Sequence, residues 1–114
     1  MKRLTAATLA AIALAGCKTT EPQYYYGQYT STVYSYFKAD SHSVDEQISA
    51  LENVIQTAER KNKPVAPGIH AHLGMLYFET GNDALGAEHF DREKTLFPES
   101  TKYIDFLLTS VKEA

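Results

Sequence analysis

The chain has one cysteine, no tryptophan and no cluster of basic side chains among its 114 residues. A lone cysteine excludes an internal disulfide, so packing alone must hold the fold. The missing basic cluster, with a formal charge of −3, argues against a nucleic-acid partner, which would need a patch to neutralise phosphates. Long apolar runs are also missing. The longest, Leu4–Ala15, reaches about 12 residues, where a membrane-crossing helix needs about 20. No nucleophile elbow, Gly-rich phosphate loop or Cys–His pattern appears, so the expectation is a non-enzyme without a cofactor. The four prolines, Pro22, Pro64, Pro67 and Pro98, fall between apolar stripes and mark where helices must stop.

What is present begins with a leader. Lys2 and Arg3 form a positive start, Leu4–Ala15 a small and apolar middle, and small residues lead to Cys17, the three parts of a secretory signal. Leu14-Ala15-Gly16-Cys17 resembles the lipobox of bacterial lipoproteins. That resemblance implies cleavage after residue 16 and acyl chains, palmitate among them, on Cys17. An unpaired cysteine in an exported chain calls for such an explanation, and two or more chains give durable attachment. Lys18 stands where an Asp commonly retains lipoproteins in the inner membrane, which by analogy implies the outer membrane, lipid-anchored on its periplasmic face. Loss of the leader takes Lys2 and Arg3 and leaves a formal charge of −5. The organisation expected is a signal over 1–16, acylated Cys17 and tether over 17–23, and a folded domain over 24–114.

The domain reads as helical. Tyr24–Phe37 holds seven aromatics in fourteen residues; Tyr26, Tyr29, Val33 and Phe37 follow helical spacing although Thr, Val and Tyr favour strands. A helix over 27–39 is expected, its tyrosines serving either as packing near lipid headgroups or as a stacking surface for a sugar or a protein. Ser43-Val44-Asp45-Glu46 is a capping box. It opens a helix to about Asn62 with Ile48, Leu51, Ile55 and Ala58 on one stripe.

The most informative stretch is Pro67–Ser100, roughly the 34 residues of one tetratricopeptide repeat. His70, Leu73, Gly74, Tyr77, Gly86, Phe90 and Pro98 resemble its signature, with His70 for Trp and Gly86 for Ala as departures. Helix A should run over 69–79, its Ile69, Leu73, Leu76 and Tyr77 facing the partner helix. Helix B should run over 84–97 and bury Leu85, Phe90 and Phe97. Gly81 suits a left-handed C-cap and Asn82 or Asp83 an N-cap. Gly74 and Gly86 imply close backbone approach, since glycine within a helix is unfavourable by about 1 kcal/mol. A last helix over 101–112, capped by Ser100 or Thr101, should close the apolar end. The fold class expected is all-α, about five helices in tetratricopeptide-like antiparallel hairpins with a C-terminal capping helix.

In such repeats the exposed side of helix A offers the binding wall, here Gly68, Ala71, Met75, Phe78 and Glu79, with Met75 and Phe78 a soft apolar pair. The first hairpin could instead cover these residues. Tyr26 and Tyr29 are the other candidates for partner contact. His70, His72 and His89 invite a metal reading, but on a helix residues two apart point nearly opposite ways. His70 is better placed as a packing residue in the hairpin seam, and no metal is expected.

Taken with the lipobox, Tyr26-Gly27-x-Tyr29, Pro67–Phe78, Glu93-Lys94-x-Leu96-Phe97-Pro98-Glu99-Ser100 and Asp105–Leu108 resemble a family of small proteobacterial lipoproteins with a domain of unknown function. Tyr26 stands where relatives often have Trp. Members are typically encoded beside a lipoprotein similar to the curli secretion channel and a second small lipoprotein. The resemblance implies an adaptor in an envelope assembly with those two partners, and no activity. The other reading is a cell-wall module that stacks its tyrosines on peptidoglycan.

Overall fold

The computed structural model describes residues 23–38 and 43–113, with side chains over 23–33 and 43–113. The leader, Cys17, the tether through Pro22 and the side chains of Tyr34, Tyr36 and Phe37 lie outside the described residues. Among the described residues the chain is all-α: α1 Tyr29–Lys38, α2 Val44–Arg60, α3 Ile69–Glu79, α4 Asp83–Leu96, a 3-10 turn Pro98–Ser100, and α5 Thr101–Glu113. None of these helices is long and apolar enough to cross a membrane.

Local chemistry sets most boundaries. α1 starts two residues later than expected because Gly27 takes a left-handed φ of 48°, turning the chain before Tyr29 donates its N–H to Tyr26 O. Ser43 Oγ accepts the Glu46 N–H at 3.2 Å, the expected cap of α2. That helix ends at Arg60, before Asn62, which itself adopts φ 52°. Gly81 follows α3 at φ 81°. Its N–H donates to Phe78 O while that of Asn82 donates to Tyr77 O, the paired bonds of a Schellman C-cap. Asn82 Oδ1 then caps α4 at the Leu85 N–H. Ser100 and Thr101 do not cap α5 through their side chains. Their hydroxyls donate to the Phe97 and Pro98 carbonyls, because the 3-10 turn leads straight into the helix.

α3 is the central element, apolar on two faces, as a helix buried on both sides must be. Ile69, Leu73 and Leu76 pack with Leu51, Val54 and Ile55. The stripe expected to meet the partner helix therefore meets α2, the helix before it. The opposite face carries Ala71, which joins Phe90 of α4 and Ile104 of α5, with Met75, Phe78, Leu107 and Leu108 around them. Leu85 and Phe97, expected in the core, are only half-buried.

α3 and α4 form an antiparallel hairpin. His70 meets His89, Gly74 meets Gly86 and Phe90, and Gly86 meets Phe78. A Cβ on Gly74 would sit 2.5 Å from a ring carbon of Phe90 and 3.0 Å from the Gly86 carbonyl oxygen. Phe90 is fully enclosed and the carbonyl is backbone, so neither can yield. Gly74→Ala is expected to destabilise by about 1–2 kcal/mol in urea unfolding, overpacking outweighing the gain in helix propensity. A Cβ on Gly86 would press on the Phe78 ring at 2.7 Å. Phe78 is half-buried and can swing outward, so Gly86→Ala should be nearly neutral. Equal effects would contradict the close approach at Gly74.

Candidate functional site

Two recesses flank the crossing of α5 over α3. The larger, about 780 Å³, is lined by Met75, Phe78 and Glu79 of α3, Asp83 of α4, and Leu108 and Val111 of α5. The smaller, about 400 Å³, is lined by Tyr29, Gly68, Ala71, His72, Met75 and Tyr103 among others. Met75 borders both. The structure thus gathers four of the six candidate contact residues, Ala71, Met75, Phe78 and Glu79, along α3, with Tyr29 of α1 bordering the smaller recess and Tyr26 stacked on Tyr29 at 6.4 Å between ring centroids.

The candidate wall is not open in the way a repeat array would leave it. Ala71 is 7% exposed, and Met75 and Phe78 are half-buried. What covers them is chiefly α5, through Leu107 and Leu108, with Tyr29 and Val33 of α1 at one end. Ala71 therefore belongs to the core rather than to a contact surface. Met75, Phe78 and Glu79 line the larger recess, where Glu79 and Asp83 give an acidic rim and Lys112 a counter-charge.

Polar chemistry is buried in the hairpin seam. His70 Nδ1 and His89 Nδ1 are 2.9 Å apart, with the two rings stacked at 5.2 Å. His89 Nε2 lies 3.5 Å from Glu52 Oε1, which also accepts the Tyr77 hydroxyl at 2.8 Å. Tyr77 stacks on His89 in turn. With both rings neutral the chain of donors closes: His70 donates to His89, and His89 and Tyr77 converge on Glu52. Burial, then the neighbouring His89, lowers His70 to about 4. Burial also lowers His89, against the pull of Glu52. Desolvation and the bond to Glu52 raise Tyr77 to about 12. His70 is the seam residue expected. His72 points elsewhere, toward the smaller recess, and no cluster of three potential metal ligands occurs among the described residues.

The sequence reading missed Glu93. It is 3% exposed, and its Oε1 accepts the Gly68 N–H at 2.7 Å. The amides of His70 and Ala71, in the first turn of α3, face the same carboxylate and favour its charged form. Gly68 at φ 93° is the N-cap of α3 and has no side chain, and no acid lies in the first turn of that helix. Glu93 of α4 supplies both the acceptor and the negative charge that a helix start requires. Burial nevertheless raises its pKa, with the Gly68, Ala71 and His70 amides opposing. The carboxylate also helps raise Tyr29, after burial. A signal existed in the sequence, since Gly86, Phe90, Glu93 and Phe97 share one helical stripe, which puts Glu93 on the buried face.

No curated protein and no solved structure matches the chain. A family model matches over residues 23–107, a span that holds α1–α4, the seam network, Glu93 and most of both recesses. The chain belongs to the family described as Domain of unknown function (DUF4810).

Proposed function

We propose that the chain is an outer-membrane-anchored periplasmic lipoprotein, acylated at Cys17, that acts as a non-catalytic adaptor in an envelope assembly. Its α3–α4 hairpin is read as tetratricopeptide-like, and its partners as a curli-secretion-channel-like lipoprotein and a second small lipoprotein. The observation that carries the reading is the recess between α3 and α5. It is apolar at Met75, Phe78, Leu108 and Val111 and edged by Glu79 and Asp83, a form suited to the apolar side of a partner element with basic flanks. Rings and thioethers adapt to varied partners at modest entropic expense.

Co-purification from detergent-solubilised envelopes tests it. Glu79 is exposed, so Glu79→Lys should keep the thermal midpoint while cutting partner recovery about fivefold, the equivalent of roughly 1 kcal/mol. Phe78→Ala should cut it further. Normal recovery with both variants would place the contact elsewhere. The second reading, a peptidoglycan-binding module, draws on the exposed Tyr26 ring stacked on Tyr29. Sedimentation with purified peptidoglycan separates the two, because the adaptor stays in the supernatant.

A further inference from the structure

We propose that the aromatic edge made by Tyr26, Tyr29, Tyr103 and Phe106 lies against the headgroup region of the bilayer that anchors the chain. This rests on the acylation of Cys17. Tyr26, Tyr103 and Phe106 are 45%, 60% and 65% exposed, three of the four exposed large apolar side chains among the described residues. They come from opposite ends of the sequence. Tyr26 stacks on Tyr29, Tyr29 and Tyr103 border the same recess, and Phe106 stands one turn beyond Tyr103 on α5.

The tether decides what covers this edge. Only residues 17–22 separate the acylated end from Gln23, a reach of at most about 20 Å. The chain emerges from that tether directly into Tyr24–Tyr29, so the edge built on these residues is the part of the domain held closest to lipid. Its chemistry fits that place. Tyrosine puts an apolar ring toward the acyl boundary and its hydroxyl among headgroups, while an aliphatic patch would have no such preference. Asp105, the acid beside Phe106, is turned to Lys94 at 3.2 Å, which keeps its charge paired. The larger recess shares only Met75 with the one beneath this edge, so a membrane contact here leaves Phe78 and Glu79 available to a partner.

The absence of tryptophan gives a clean probe. The chain from Cys17 onward, which contains every described residue, carries Phe106→Trp and is coupled through its only thiol to a maleimide lipid in phosphatidylethanolamine–phosphatidylglycerol vesicles. Emission should shift to the blue and fall about twofold with lipids brominated near the headgroup. Glu88→Trp, on the exposed side of α4, should do neither. Adding Tyr26→Ser and Tyr103→Ser should abolish the shift in the Phe106→Trp chain, with helical content unchanged. An unshifted, unquenched Phe106→Trp overturns the proposal and leaves the edge to a protein partner. Intact mass of the chain from cells reads acylation separately, so failure of the anchor and failure of the edge are distinguishable.

Discussion

Glu93→Ala is expected to lower stability by about 2–4 kcal/mol at pH 7, the loss of the buried acceptor that the Gly68 N–H reaches and that faces the first amides of α3. Each N–H left buried without a partner is unfavourable by about 1–3 kcal/mol. Loss of the carboxylate at a helix start removes a further 0.3–1 kcal/mol or so of dipole interaction. The full sum is not reached, because water can enter at Gly68, which is only half-buried. Glu93→Gln keeps an acceptor of the same shape. It should lose only about 1 kcal/mol, since it also relieves the burial of a charge that raises the Glu93 pKa. Urea titrations of the three chains check this. If Glu93→Ala unfolds at the wild-type midpoint, the carboxylate is not the cap of α3.

Acidification should destabilise the fold through the seam. His70 has a folded pKa of about 4 against 6.5 for the free side chain. Between those values the unfolded chain binds more protons, so stability is present above pH 6.5 and is lost as pH falls toward 4. The size is about 3 kcal/mol at 1.36 kcal/mol per unit, and the lowered His72 and His89 act in the same direction. A second proton on the pair would set two N–H groups head to head across 2.9 Å. Glu93 works the other way. Its raised pKa contributes stability in acid that fades as pH rises through the folded value, so it offsets part of the loss. His70→Asn keeps a donor toward His89 but does not titrate. Urea midpoints taken from pH 7 to pH 4 should fall steeply for the wild type and flatten for this variant. Parallel curves would remove His70 from the account.

How much of this was legible depended on how far apart the interacting groups lie in sequence. The Ser43 cap, the Gly81–Asn82 turn and the glycines of the hairpin act within a few residues or across one short hairpin, and they stood where the residues placed them. The stripe Ile69, Leu73, Leu76 was visible as a stripe, but periodicity carries no record of which helix it meets, and it met α2. For the same reason the apolar side of α5 was visible while its target was not. Its cover over Ala71 removed that residue from the contact surface. Glu93 was missed because caps are sought three residues away, and this one is 25 residues from Gly68. Met75, Phe78 and Glu79 came together because all three lie on the side of α3 that borders the recess.

The most direct test of the adaptor reading is a photoreactive phenylalanine analogue placed at Phe78 in cells, with the same group at Glu88 as control. Phe78 borders the recess, whereas Glu88 is an exposed residue of α4 paired with Arg92. Illumination should give a discrete adduct of this chain with another envelope lipoprotein at Phe78 and none at Glu88. Uncrosslinked chain alone at Phe78, or the same adducts from both positions, would contradict it.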